Sequence, residues 1–199
     1  MRRRQGPALA KVRGRAALPA MRLNKTVVLV GMMGSGKTAV GTHLARLLAV
    51  PFVDSDEAIE AAANRSIAEI FARDGEPFFR AKETQVLRRL MAGPPCVLST
   101  GGGAFMSPVN RAEISAHGVS VWLRAELDLL WNRVRHKSTR PLLRTANPRD
   151  TLRTLLEVRN PVYALADIAV QAQPEYSVDD MARKVLEALA EYGGIVETE

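Results

Sequence analysis

Lys37 and Thr38 close the octapeptide Gly31-Met32-Met33-Gly34-Ser35-Gly36-Lys37-Thr38, which fits the phosphate-loop pattern G-x-x-x-x-G-K-[ST] without a mismatch. The residue types state the chemistry. Gly31, Gly34 and Gly36 permit backbone turns in which successive N–H groups point inward and form an anion-binding nest. A helix starting near Lys37 adds the positive end of its dipole. The Lys37 ammonium can reach the outer phosphates, and the Thr38 hydroxyl can ligate Mg²⁺, a hard ion that prefers oxygen. Such a loop binds a nucleotide. It does not say what receives the phosphate.

Further along, Asp54 and Asp56 stand two apart at the end of a short apolar run, so in extended backbone they point to one side. In an open α/β sheet the ligand crevice lies at the carboxyl ends of the strands, where two carboxylates would face the nucleotide. Asp56 fits equally as the cap of a helix over 57–63, and the two roles are compatible. Arg80 and Glu83 sit three apart on a helix surface, the spacing of an ordinary exposed ion pair. Gly101-Gly102-Gly103 follows an apolar run and permits close backbone approach to a ligand, although a plain loop would read the same way. Ser99 stands where many phosphate-loop proteins carry a Mg²⁺-associated Asp, so that role must be met elsewhere or by water. Lys137, Arg140, Arg144 and Arg149 lie in an irregular stretch with Pro141 and Pro148 and no acid. They read as a mobile lid over phosphates or as a solvated loop. His43, His117 and His136 are scattered without metal-ligand spacing.

Positioning these residues requires alternating strands and helices. Thr26–Val30 reads as a buried strand, and Val40, Leu44, Leu47 and Leu48 recur at helical spacing. Further strands are expected at Phe52-Val53, Cys96–Thr100, Val119–Leu123 and Ile168–Val170. Helices are expected over 57–63, 66–72, 76–91, 108–117, 126–134, 150–159 and 178–192, with Asp74-Gly75 separating two of them and Asn160-Pro161 ending another. Alternation implies one parallel sheet of about five strands, of the P-loop NTPase type, with helices on both faces and a mobile lid over about 136–150.

The 199 residues suffice for one domain with a core. The net charge of +7 is misleading, because residues 1–25 carry eight basic groups and no acid, leaving 20 basic groups against 21 acidic ones in the remainder. The folded body is therefore not read as binding nucleic acid. Residues 1–24 are expected to be a basic, disordered extension, 25–193 the folded domain and 194–199 a tail. The extension lacks the apolar core of a secretory signal, and no apolar run approaches the roughly 18 residues of a membrane span. One cysteine, Cys96, argues against a disulfide framework and for a reducing, cytoplasmic compartment.

Taken together and in order, the phosphate loop, Asp54-Ser55-Asp56, Phe79-Arg80 with Glu83, Thr100-Gly101-Gly102-Gly103, Arg140-Pro141-Leu142-Leu143 and Arg159 with Tyr163 closely resemble shikimate kinase over residues 25–190. The resemblance implies transfer of the γ-phosphoryl group of ATP to the 3-hydroxyl of shikimate, with Mg²⁺, by a monomer. It implies that Lys37, Asp56 and Arg140 are catalytic. Gly34, Ser35, Gly36, Lys37, Thr38, Ala39, Arg133 and Arg140 would bind ATP, and Asp56, Arg80, Glu83, Gly102 and Arg159 would bind shikimate. Thr38 would hold the metal directly and Asp54 through water. The rivals are a kinase of another small acceptor, such as gluconate or a nucleoside monophosphate, and a nucleotide-dependent switch that transfers nothing.

Overall fold

The computed structural model describes residues 21–136, 141–143 and 145–198. In chain order its strands are β1 (Met21–Leu23), β2 (Thr26–Val30), β3 (Phe52–Asp54), β4 (Val97–Ser99), β5 (Gly118–Arg124), β6 (Ile168–Gln171) and β7 (Val196–Thr198). The helices are α1 (Lys37–Leu48), α2 (Ser55–Ala63), α3 (Ile67–Met91), α4 (Pro108–His117), α5 (Leu127–Val134), α6 (Pro148–Tyr163) and α7 (Val178–Tyr192). Short 3₁₀ turns cover Ala104–Met106 and Pro141–Leu143.

β2 to β6 form one parallel sheet of order β3-β4-β2-β5-β6, flanked by helices. A strand buried on both faces needs a nearly continuous apolar run, which is why β2 reads Thr-Val-Val-Leu-Val and is buried along its length, with the Thr26 hydroxyl accepting from the Cys96 N–H. Register does the positioning. Leu29 lies opposite Ser99, and Ser99 opposite Asp54, so β2, β4 and β3 end within one residue of each other. The segments that follow them, the phosphate loop, the start of α2 and the triple glycine, therefore open at one edge of the sheet. α1 comes close to the sheet at Gly41, where a Cβ would stand 2.6 Å from the Phe52 ring and 2.9 Å from Leu29.

The main core surrounds the sheet, while Ile59, Ile70, Phe79 and Val86 form a separate small cluster between α2 and α3. Among the described residues, no helix is long and apolar enough to cross a membrane.

Three expectations need correction. Asp54, not Asp56, caps α2: its carboxylate accepts from the Asp56 N–H, because β3 ends one residue before the helix begins. The expected break at Asp74-Gly75 holds: Gly75 is non-helical (φ 79°, ψ 173°) and kinks α3, which restarts at Glu76. α6 continues through Pro161 to Tyr163. Pro161 and Glu157, whose carbonyl loses its usual N–H partner, are both exposed, and water can serve that carbonyl. Finally, Met21–Leu23 and Val196–Thr198, expected to fall within the extension and the tail, pair antiparallel, with Leu23 and Ile195 buried beneath them.

Candidate active site

The phosphate loop leaves β2 and enters α1 through three glycines at positive φ: Gly31 (137°), Gly34 (83°) and Gly36 (99°). Two of them also lack space for a side chain. A Cβ on Gly31 would meet the Leu123 carbonyl at 2.9 Å, and one on Gly34 the Val134 methyl at 2.6 Å. α1 has no acidic residue in its first turn and no side-chain cap, so its N-terminal donors stay available to an anion. Lys37 Nζ lies across the loop and donates to the carbonyls of Gly31 (2.8 Å) and Met32 (3.1 Å). Arg133 reaches in from α5 and donates to the carbonyls of Gly34 (3.3 Å) and Ser35 (3.4 Å). Burial lowers the pKa of its guanidinium.

A cleft of about 440 Å³ runs along this loop. Its walls include Gly34 to Ala39, Asp54, Asp56, Ser99, Gly101, Gly102 and Arg133, and beyond them Ala172, Tyr176, Ser177, Val178 and Met181. The last group carried no signal in the sequence, since it joins the cleft only because β6 and α7 pack beside α1.

Asp54 ties the two carboxylates to the loop. One oxygen takes the Asp56 N–H at 3.0 Å and the other takes the Thr38 hydroxyl at 3.3 Å. Thr38 and Asp54 thus offer an all-oxygen pair at the loop's mouth, a donor set suited to a small hard cation such as Mg²⁺. Asp56 Oδ1 is buried and has no hydrogen-bond partner among the described residues. Burial raises the Asp56 pKa, and the neighbouring Asp54 raises it further, while Lys37 and Arg80 pull the other way.

The three glycines after β4 draw the acceptor side together. A Cβ on Gly101 would stand 2.7 Å from Asp56 Oδ1. One on Gly102 would stand 3.5 Å from Arg159 Nη1, and one on Gly103 2.6 Å from Arg80 Nη1. Three side chains distant in sequence therefore close on three successive residues that have none. Arg80 and Arg159 flank this turn rather than line the cleft itself. Glu83 is buried, and both its oxygens take Arg80 Nη1, at 3.0 and 3.2 Å. Burial raises the Glu83 pKa and Arg80 opposes it. The pair is thus half-buried and fixed, unlike the ordinary exposed pair that its spacing alone would allow.

Tyr163 is fully buried and its hydroxyl donates to the Gly102 carbonyl at 2.5 Å, alongside a longer contact from Arg159 at 3.5 Å. Burial raises the Tyr163 pKa. Asn110, also buried, donates to the Ala104 carbonyl and accepts from Thr84, which fixes the turn after the glycines. Glu76 holds the outer edge of Arg80. Glu76 and Asn110 were not singled out in the sequence, although the four-residue spacing of Glu76 and Arg80 was there to read. Arg140, with Lys137 and Arg144, lies outside the described residues. The described base of the expected lid is anchored by buried Leu143 and by Arg149, which donates to Asp128 at 2.7 Å.

Residues 33–190 match the family model of shikimate kinase. The shikimate kinase of Cereibacter sphaeroides is 69% identical over 178 residues, 89% of each chain. That of Ruegeria pomeroyi is 61% identical over 178 residues, 89% of this chain and 91% of its own. The solved shikimate kinase of Acinetobacter baumannii in complex with shikimate superposes with a TM-score of 0.79 at 39% identity, covering 84% of this chain and 93% of that one. A gluconokinase from Sinorhizobium meliloti shares the fold, with a TM-score of 0.57 at 19% identity over 85% of this chain and 94% of its own. With the loop, the carboxylates and the glycine turn at one sheet edge, the chain belongs to the shikimate kinase family of ATP-dependent phosphotransferases.

Proposed function

We propose that the cleft transfers the γ-phosphoryl group of ATP to the 3-hydroxyl of shikimate, giving shikimate 3-phosphate and ADP in aromatic amino-acid biosynthesis. The observation that carries this reading is the convergence of Asp56, Arg159 and Arg80 on Gly101, Gly102 and Gly103 beside the phosphate loop. A small polyhydroxylated acid needs cations at its carboxylate and an acceptor at its hydroxyls. Arg80 and Arg159 would supply the first, since a planar guanidinium can hold both oxygens of a carboxylate. Glu83 would orient Arg80. The Gly102 carbonyl is already taken by Tyr163 and Arg159, so its N–H is the group left to offer the substrate.

Asp56 Oδ1 would accept from the 3-hydroxyl, leaving an oxygen lone pair to face the γ-phosphorus. As the new O–P bond forms, the bridging P–O bond of ATP breaks and the hydroxyl proton passes to Asp56. The raised Asp56 pKa favours that transfer. Phosphoryl transfer asks the protein mainly for alignment and charge neutralisation. The nest of Gly34, Ser35, Gly36, Lys37, Thr38 and Ala39 would cradle the phosphates, Lys37 exchanging its loop carbonyls for phosphate oxygens. Arg133 and the wall from Ala172 to Met181 would take the nucleoside, and Arg140 would close over the phosphates from the lid. Mg²⁺, held by Thr38 directly and by Asp54 through water, would supply charge neutralisation at the outer phosphates. The lone buried thiol of Cys96 supports a reducing, cytoplasmic setting, and we take the enzyme to be a monomer.

Asp56→Asn should lower shikimate-dependent ADP release by about a hundredfold or more, the scale of a lost general base. Calorimetric titration should show ATP binding intact. ADP release that is equally fast with and without shikimate in the wild-type enzyme would sink the proposal.

A further inference from the structure

Arg80 is held by two carboxylates of different character. Its Nη1 meets both oxygens of Glu83, a side chain only 2% exposed. Its Nε and Nη2 both meet a single oxygen, Oε1 of Glu76, at 3.2 and 3.1 Å, and the Glu76 side chain is 63% exposed. Nε and Nη2 form the side-on edge of the guanidinium, the edge with two parallel N–H groups that a carboxylate can take with both oxygens. The end-on edge is already engaged on its Nη1 side by Glu83. Full two-point capture of a substrate carboxylate therefore runs through the edge that Glu76 occupies.

We infer that Glu76 is an internal stand-in for the substrate carboxylate: it keeps the side-on edge of Arg80 occupied and ordered, and shikimate binds by displacing it. The inference rests on the reading of Arg80 as part of the carboxylate clamp. The energetics favour exchange at Glu76 and forbid it at Glu83. An exposed pair contributes little and is readily surrendered to water. Removing a buried partner strands a desolvated charge. Shikimate would replace a one-oxygen contact with a two-oxygen contact shared with Arg159. The kink at Gly75 builds the device. It restarts α3 at Glu76, four residues before Arg80, so the two meet on one face, and it places the displaced carboxylate in the first turn of the restarted helix, where the dipole still favours it.

The test is a double-mutant cycle on Glu76 and Arg80, with shikimate Kd measured calorimetrically on the full chain in the absence of nucleotide. Glu76→Gln should tighten shikimate binding by about two- to fivefold, the range of an exposed ion pair. Arg80→Ala should weaken it, and Glu76→Gln should change nothing in the Arg80→Ala background. The carboxamide analogue of shikimate should show no gain with Glu76→Gln, which separates displacement from altered packing. If Arg80→Ala leaves Kd unchanged, the clamp reading itself fails. If Arg80→Ala weakens binding but Glu76→Gln leaves Kd unchanged or raises it, the displacement proposal is overturned. An equal gain from Glu76→Gln with and without Arg80 would also overturn it, because that outcome is long-range repulsion.

Discussion

The donor half and the acceptor half of the cleft are built on different principles. On the donor side the recognition groups are consecutive backbone donors between Gly31 and Thr38, set on the main core by β2 and α1. On the proposed acceptor side they would be side chains of α2, α3 and α6, which meet on the glycine turn beside the cleft. There α2 and much of α3 lean on a separate cluster of Ile59, Ile70, Phe79 and Val86, while α6 packs on the main core. On the proposed reading, a triphosphate would be held by geometry that a short peptide can encode, and a hydroxy acid by charges whose spacing only the complete fold can set. A cluster this small is expected to hold α2 and the first half of α3 less firmly than the main core holds β2 and α1.

Four experiments sharpen or break this contrast. The largest effect belongs to Lys37→Met, expected to lower kcat by about a hundred- to a thousandfold, the scale of one preorganised electrostatic contact. Shikimate Kd should barely change, and a parallel loss of shikimate affinity would merge the two halves. Next is a matched glycine pair. Gly34→Ala puts a methyl at positive φ against Val134, and it should raise KM for ATP by about tenfold or more. Gly103→Ala crowds the Arg80 guanidinium, and should raise KM for shikimate by a similar factor while leaving that for ATP unchanged. Crossed effects would show that the halves are mechanically one.

Ile70→Ala should cost about 2–4 kcal/mol of packing in the satellite cluster. Hydrogen exchange should accelerate in α2 and the first half of α3, with β2 and α1 unaffected. Uniform acceleration would mean that α2 and the first half of α3 are not a separate unit. The smallest effect is electrostatic. Burial and the Asp54 charge both raise the Asp56 pKa, so Asp54→Asn should let it fall. A carboxyl held above its unfolded value binds its proton more tightly in the folded state. Asp56 therefore adds stability as pH falls through its folded pKa, the reverse of an ordinary paired carboxylate. Carbon-13 NMR of the Asp56 carboxyl, with and without Asp54→Asn, reads the shift directly, and an upward move would contradict the assigned cause.

The same contrast decides what could be read from the chain. The phosphate loop is legible because its residues are adjacent and its flanks state their own structure: a β-branched run before it, helical spacing after it. Asp56, Arg80 and Arg159 have no mutual spacing. They could be linked only through a resemblance in the order of several motifs. Asp54 was misjudged because a cap is decided by one residue of strand length, and element ends are the least determined part of any sequence. Pro161 reads as a stop, yet the last turn of α6 tolerates it where the orphaned carbonyl faces water. Tyr163 stood in the sequence as part of a pattern, and its duty toward Gly102 emerged only when α6 reached that turn. The β1–β7 pairing joins two three-residue segments at opposite ends of the chain, too short for any periodicity to announce.

That pairing has a practical consequence. Asn24 donates to the Ile195 carbonyl, and Met21 to Leu23 run beside Thr198 to Val196, so β1 and β7 are neighbours. Trimming the carboxyl end back to Gly194 would unzip the amino end as well, exposing Leu23. A short peptide bridge between the two, by contrast, would need to cross little space, which makes this corner a natural seam for circular permutation.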